Sequence, residues 1–327
     1  MEYIILLISL VGIVFGADFL VAGAVSLARR FKVSDFVIGA AIVGVGTSMP
    51  ELVVSFIGAL NGNADVAIGN VVGSNIFNVL GILGLTAIFF PVAIDRKNMK
   101  FEIPLCIGVS VLLTILAFNF FNGSPAVISR PDGLLLLAVF AGFIWYSFYR
   151  DSKDSIASEE SVEDDKTPLW LAIVKVAGGL ALLITSCDFF VDNAVKIAKS
   201  FGVNDAFISL TLIACGTSLP ELAASVAAAV KKNTQMALGN IVGSNIFNIT
   251  LILGISSQVM PLTSSGITIV DYIVMIGAAI LPMLFAFKGR VGRAGGALMI
   301  AFFIAYNWYL ITNQIGSIWE FYKSSHF

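Results

Sequence analysis

Two glutamates, Glu51 and Glu221, stand near the middle of long apolar stretches, and each is framed by the same polar residues. Thr47, Ser48 and Pro50 precede Glu51 in GTSMPE; Thr217, Ser218 and Pro220 precede Glu221 in GTSLPE. An ionised carboxylate at mid-bilayer costs several kcal/mol unless it is paired or solvated, so an intramembrane Glu reads first as a functional residue. A protonated Glu bonded to a neighbouring helix is the plain structural alternative, and it suits one isolated Glu better than a duplicated pair. Proline lacks an N–H and clashes with the carbonyl four residues back, here at Gly46 and Gly216. Carbonyls around Gly46-Thr47 and Gly216-Thr217 are then freed one turn from each carboxylate. At membrane depth such backbone is tolerated only beside protein or a hydrated cavity. Ser48 and Ser218 lie at i−3 from the glutamates, on the same helical face. Each motif therefore gathers carboxylate, hydroxyl and carbonyl oxygens in one place.

A second oxygen-rich wall follows each motif. Asn70, Ser74 and Asn78 are spaced by four and form a stripe on one helix face, and Asn240, Ser244 and Asn248 repeat it. Gly69 with Gly73, and Gly239 with Gly243, are small-xxx-small pairs that let backbones approach closely. Alone, these residues would serve as helix-packing contacts; opposite two intramembrane glutamates they read as ligands. The set is all oxygen, without thiolate or imidazole. It suits Ca²⁺, with six to eight flexible oxygen ligands, and also Na⁺, whereas Mg²⁺ gives up its waters reluctantly.

The elements that must position these residues come in two copies. The segment Gly46–Gly84 returns 170 positions later as Gly216–Gly254, with identity at 22 of 39 positions, and the matches are mostly Gly, Thr, Ser, Pro, Glu and Asn. A duplicated polar motif inside membrane-grade sequence points to a transport site built from two repeats. The 327 residues are 58% apolar and 12% charged, about half the charge of a soluble protein, and apolar runs recur along the whole length. The sequence predicts an all-α polytopic membrane protein with ten transmembrane helices at 2–28, 35–60, 66–90, 103–121, 132–149, 168–198, 204–230, 236–261, 266–287 and 294–318. The first lacks a basic leader and reads as a span rather than a signal peptide. Domains follow as 1–149, a polar linker at 150–167, and 168–327.

Arg and Lys fall 14 to 4 on one side of these spans, which places that side and the linker in the cytoplasm and both termini outside it. Five spans per half force the second half to insert upside down, giving two inverted five-helix repeats. Asp18-Phe19 is answered by Asp188-Phe189, and Val33 and Asp35 by Val203 and Asp205, so the repeat extends beyond the motif. The linker RDSKDSIASEESVEDDKT has no calcium-loop spacing and reads as a disordered acidic connection. Cys106, Cys187 and Cys215 are scattered in apolar segments, which argues against disulfides and metal clusters. His326 alone supplies imidazole, so histidine relays and Ser-His catalysis are excluded. No basic patch suggests nucleic acid, no lipidation motif is present, and no protein partner is implied; the bilayer is the expected surrounding. Asp18, Asp188, Asp192 and Lys175 lie in the first and sixth spans, where helix–helix hydrogen bonds or snorkelling compete with water-facing roles.

The paired GTS[ML]PE and GN[VI]VGSNIFN motifs resemble the two α-repeats of the sodium/calcium exchanger family, within the cation/calcium antiporter superfamily, in its prokaryotic form. The resemblance covers essentially the whole chain. It implies secondary active exchange of Na⁺ for Ca²⁺ across the prokaryotic inner (plasma) membrane by alternating access, with no cofactor beyond the transported ions. It implies Glu51 and Glu221 as central shared ligands, and Thr47 and Thr217 as backbone-carbonyl ligands. Ser48, Ser218, Ser74 and Ser244 would contribute hydroxyls, and Asn78 and Asn248 would complete the middle. The family's first and sixth helices imply a sliding gate. Many family members carry Asp where this chain has Asn248, so only two formal charges face the cations and three-to-one stoichiometry is not expected. Rival readings are an H⁺/Ca²⁺ or K⁺-dependent Na⁺/Ca²⁺ exchanger on the same scaffold, a cation channel with flux independent of counter-ion, and an intramembrane hydrolase. The last would need a serine with a His or Lys base, or paired aspartates, and the motifs offer neither.

Overall fold

The apolar runs fold as helices because a bilayer offers no partner for backbone groups, and a helix satisfies its own. The computed structural model describes residues 1–118, 127–157, 167–201, 216–263 and 266–326. Its helices are α1 (Glu2–Phe31), α2 (Asp35–Thr47), α3 (Met49–Leu60), α4 (Ala64–Phe89), α5 (Asn98–Phe118) and α6 (Arg130–Ala157) in the first half. The second half has α7 (Leu169–Ser200), α8 (Leu219–Val230), α9 (Thr234–Val259), α10 (Ile269–Ala286) and α11 (Arg293–His326). Among the described residues, eight of these helices are long and apolar enough to cross a membrane, or up to nine if α2 with α3, bent by 48°, is one span. The expected span 204–230 is described only from residue 216, where α8 forms its end; Val203, Asp205 and Cys215 lie outside the described residues. Cys106 and Cys187 are free, buried thiols.

Two ends differ from the sequence reading. The linker was expected to begin at residue 150, yet α6 continues to Ala157, because residues 151–157 contain no Gly or Pro and an established helix propagates readily. Residues 158–166, the rest of the linker, lie outside the described residues. The last helix likewise runs on past 318 to His326.

The centre of the molecule is made by α4 and α9, whose spanning windows are 78% and 89% buried, against 28% for α1. Both carry the NIFN motif, and both widen there into π-helical turns, at Phe77–Leu83 and Asn248–Ile252; a third π stretch, Gly39–Gly44, lies in α2. Such turns re-aim side chains and recur at functional sites. Around this centre one large apolar cluster joins α4, α5, α6, α9, α10 and α11. A smaller one forms where α1 meets α7, with Leu20 and Ala24 against Ala172 and Leu183, and it reaches Ala224 and Ala228 of α8. There the helices approach so closely that a Cβ on Gly16 would lie 2.6 Å from the Leu183 nitrogen.

Two short antiparallel ribbons tie the halves together. β1 (Val92–Ala93), following α4, pairs with β4 (Arg290–Val291), which precedes α11; β2 (Val127–Ile128), preceding α6, pairs with β3 (Leu262–Thr263), which follows α9. The registers are Val92 with Val291 and Ile128 with Leu262. The strands β1 and β3 stand at equivalent places in the duplicated sequence, so each half clasps the other in the same way.

Of the two small-residue pairs, Gly239 with Gly243 does its expected work, between α9 and α2, whereas a Cβ on Gly73 would meet nothing within 4 Å. A Cβ on Gly239 would overlap the Phe36 carbonyl, and one on Gly243 would overlap the Ala40 backbone. Gly243→Ala should therefore destabilise the protein by about 1–3 kcal/mol, the usual cost of overpacking. Thermal unfolding of the purified variant in detergent should show a lowered midpoint; an unchanged midpoint would mean that α2 and α9 do not meet at Ala40.

Candidate functional site

The break between α2 and α3 falls at Ser48, whose φ and ψ of −82° and 10° leave the helix, and the chain re-enters helix at Met49. Ser218 does the same before α8, at −91° and 8°. Pro50 and Pro220 consequently sit in first turns, where a missing N–H leaves nothing unpaired. Glu51 and Glu221 also occupy first turns, where the positive end of the helix dipole favours a carboxylate.

Ser48-x-x-Glu51 and Ser218-x-x-Glu221 have the spacing of a capping box, in which serine and glutamate serve the same helix end. Neither serine caps its own helix. Instead the Ser48 hydroxyl donates to Glu221 Oε1 at 2.7 Å, and the Ser218 hydroxyl donates to Glu51 Oε1 at 2.9 Å. The pairing is crossed between the two halves. Both glutamates and both serines are at most 1% exposed.

The asparagines of α4 and α9 build the rest by the same rule. Asn70 Nδ2 donates to the Glu51 carbonyl at 3.1 Å and to Ser55 Oγ at 2.9 Å; Asn240 Nδ2 donates to the Glu221 carbonyl at 3.1 Å and to Ser225 Oγ at 2.8 Å. Asn75 and Asn245 each donate to the other's carbonyl at 3.2 Å. Their amide oxygens accept from Asn248 and Asn78 respectively, at 3.1 and 3.0 Å. Each bond has an image 170 residues away.

The sequence-predicted residues thus converge, with some differences in role. Glu51, Glu221, Ser48 and Ser218 share the crossed hydrogen bonds, and Asn78 and Asn248 belong to a second buried cluster with Asn245 and Asn75. The Ser74 hydroxyl lies 3.2 Å from that of Ser218, whereas Ser244 donates to the Gly44 carbonyl at 3.2 Å. Thr47 is buried and donates to Asn240 Oδ1 at 3.2 Å, while Thr217 is only half-buried. Asn70 and Asn240, read as part of the oxygen stripe, hold the glutamate turns in place. Asn75, Asn245, Ser55 and Ser225 were not singled out from sequence, although all four lie in the duplicated block and repeat at the same offset. Asp18, Asp188, Asp192 and Lys175 stand outside the network. Asp18 Oδ1 pairs with Lys231 Nζ at 2.6 Å, and Asp188 and Asp192 are exposed.

At this site four carboxylate and amide oxygens, Glu51 Oε2, Glu221 Oε2, Asn78 Oδ1 and Asn248 Oδ1, accept no hydrogen bond from any described residue, and the buried hydroxyl oxygen of Thr217 likewise has no hydrogen-bond partner. The asparagine oxygens are defined by the amide nitrogens that donate to Asn245 and Asn75. A buried acceptor left unsatisfied costs about 1–3 kcal/mol, and a charged one more. Four such acceptors, two of them carboxylate oxygens, form an all-oxygen set of the kind a hard cation takes. Among the described residues no cluster of three or more His, Cys, Asp or Glu could hold a metal, so the acidic groups available here are the glutamate pair.

The family model of the sodium/calcium exchanger protein matches residues 1–149 and 171–312. The chain belongs to the sodium/calcium exchanger family. The match is interrupted only across the acidic linker and the start of α7. The chain is similar, at 38% identity over 95% of its length and 98% of the relative's, to the putative antiporter CaxA of Alkalimonas amylolytica. It is 34% identical to the inner membrane protein YrbG of Escherichia coli (strain K12), over 92% and 94% of the two chains. It is 30% identical to the sodium/calcium exchanger MaX1 of Methanosarcina acetivorans, over 93% and 97%. Among solved structures it resembles the sodium-calcium exchanger NCX_Mj soaked with zero Na⁺ and Ca²⁺, with a TM-score of 0.82, 32% identity and coverage of 94% and 98%. This exchanger-family chain is accordingly a multi-pass, all-helical membrane protein.

The crossed pairing makes a sharp expectation. In double-mutant cycles on unfolding, Ser48→Ala should couple to Glu221→Gln by about 1–3 kcal/mol, as for a hydrogen bond to a charged group. Coupling to Glu51→Gln, three residues away on its own helix, should be smaller. Equal coupling to both glutamates would mean that the serines cap locally.

Proposed function

We propose that this protein is a secondary active antiporter that exchanges Na⁺ for Ca²⁺ by alternating access around one site between α3, α4, α8 and α9. The observation that carries the reading is the set of four unpartnered oxygens on Glu51, Glu221, Asn78 and Asn248, arranged as two symmetry-related pairs. Family membership and the likeness to NCX_Mj support it. The ions are substrates, and their ligands are the two glutamates, the hydroxyls of Ser48, Ser218, Ser74 and Ser244, the amide oxygens of Asn78 and Asn248, and the carbonyls of Thr47 and Thr217. Ca²⁺ accepts such an oxygen set without needing rigid geometry.

Ten spans, five in each half, with the halves 1–149 and 168–327 inserted in opposite directions, complete the proposed architecture. The paired bonds across the centre and the reciprocal ribbons support a two-fold relation. The 14-to-4 bias of basic residues supports an inner-membrane orientation with the linker in the cytoplasm and both termini outside. Alternating access then amounts to opening the site first to one face and then to the other. Exchange rather than leak follows from the carboxylates, since crossing empty and ionised is costly.

Replacing either glutamate by glutamine halves the charge that balances a dehydrated divalent ion. Glu51→Gln and Glu221→Gln should each abolish Ca²⁺ uptake driven by outward Na⁺ in proteoliposomes at matched protein content. Near-normal uptake in both would defeat the assignment.

Asn248 sets the stoichiometry. Its amide nitrogen is engaged by Asn75 Oδ1, so the residue presents a neutral oxygen, and two carboxylates balance one Ca²⁺ or two Na⁺. Exchange at that ratio moves no net charge. A third Na⁺ would move one, worth about 2.3 kcal/mol per 100 mV. Na⁺-driven Ca²⁺ flux should therefore change little when potential is clamped with K⁺ and valinomycin, once K⁺ transport by the protein is excluded. A several-fold change would refute electroneutral exchange.

A further inference from the structure

A cavity of about 630 Å³ opens where the end of α1, the start of α7 and the turn between α8 and α9 meet, away from the glutamates. Arg29, Lys175, Lys231 and Lys232 line it, with Asp35 as the carboxylate on its wall. Beside it, an apolar groove of about 520 Å³ runs between α1 and α8, lined by Ile13, Val14, Leu222, Val226 and Val230. Lys231 belongs to both. Its ammonium is held at the junction by Asp18, at 2.6 Å from the carboxylate and 2.9 Å from the carbonyl. Val14 and Val230 are 60% and 58% exposed, so the groove faces the surroundings of the helices, which here means lipid.

We propose that this basic cavity and apolar groove together bind one anionic phospholipid, with the phosphate headgroup among Arg29, Lys175 and Lys232 and an acyl chain along α1 and α8. Three observations converge on that occupant. Among the described residues no carboxylate forms an ion pair with Lys175 or Lys232, although both line the cavity beside Arg29 and Lys231. Basic side chains gathered in one cavity repel one another unless an anion joins them. Asp18 and Asp35 do not match the four basic side chains, so the cavity keeps an excess of positive charge. The groove continues from the basic cavity along the lipid-facing surface, as a headgroup joined to a chain requires. A zwitterionic lipid would bring its own ammonium into the same basic cavity, and a free phosphate would leave the groove without a function.

The leaflet rests on the orientation proposed above, which puts Arg29, Lys231 and Lys232 on the cytoplasmic side; the binding itself does not. Nor does it depend on which ions the protein exchanges, because its readout is lipid retention. The lipid would contact α1 and α8 at once, and α8 is the helix that carries Glu221.

Native mass spectrometry of the delipidated full-length chain, titrated with phosphatidylglycerol or phosphatidylcholine of identical acyl chains, tests this directly. The unmodified protein should retain one phosphatidylglycerol at concentrations where phosphatidylcholine is lost. Lys175→Gln, Arg29→Gln and Lys232→Asn should weaken that retention by roughly fivefold per charge removed. Asn is chosen at 232 because the φ of 62° there lies in the left-handed region that Asn tolerates. Equal retention of the two lipids by the unmodified protein would overturn the proposal without reliance on any variant. Competition by inorganic phosphate as effective as by the lipid would overturn it in favour of a free-anion site. Unchanged retention in the three variants, each folded by its unfolding midpoint, would overturn the assignment to this cavity.

Discussion

Everything at the centre of this protein depends on two carboxylates held away from water, each hydrogen-bonded by a serine from the opposite half. A buried charge left without its partner is destabilising by several kcal/mol. Neither half can satisfy its own glutamate, so the halves must close on each other for either to be tolerated. The reciprocal Asn75–Asn245 bonds and the two ribbons are consequences of the same closure, made in backbone and amide groups rather than charge. The remaining two carboxylate oxygens are what closure leaves over, and under the proposed exchange a cation completes them.

The helices around the site are arranged to make that shortage of donors possible. A continuous helix through Ser48 would carry its side chains past the centre; the break there starts a new helix whose first turn holds Glu51 at the positive end of its dipole. Asn70 then fixes that turn through the Glu51 carbonyl and Ser55, so the carboxylate is aimed by backbone geometry and not by its own contacts alone. On the facing helices, Asn75 with Asn78 and Asn245 with Asn248 are three residues apart and so neighbours on one face, and the π turns begin beside them at Phe77 and Asn248.

The residues of the site were legible because polar types inside apolar runs are costly, and their recurrence after 170 positions removed chance. Their partners were not. Ser48-x-x-Glu51 reads locally as a unit, and only the apposition of the two halves turns it into a crossed pair. Spacing by four picked out Asn70, Ser74 and Asn78 and so passed over Asn75, which lies off that face, although it carries the central bond. Asn70 was grouped with the ligand wall for the same reason, since spacing reports a face and not what the face meets. Eight of the expected spans were legible from length and hydropathy. The end of α6 was not, because polarity marks where the bilayer stops and not where a helix stops. Two-residue strands carry no period at all, which hid the ribbons.

The symmetry of the centre is already broken at Ser74 and Ser244, and it is lost again at the periphery, where direction can enter. Asp18 has its image in Asp188, but the position that answers Lys231 is Asn61, so the ion pair between α1 and the end of α8 has no counterpart in the other half. A site whose ligands repeat exchanges its contacts evenly between two inverted conformations, and such a site alone favours neither. An ion pair present on one side only adds its free energy to one conformation. With both partners a third or more exposed, that energy is about 0.5 kcal/mol, enough for roughly a twofold bias and no more. Under the proposed alternating access, the glutamates and asparagines set which ions bind, while unmatched contacts such as Asp18–Lys231 set which face the empty site prefers.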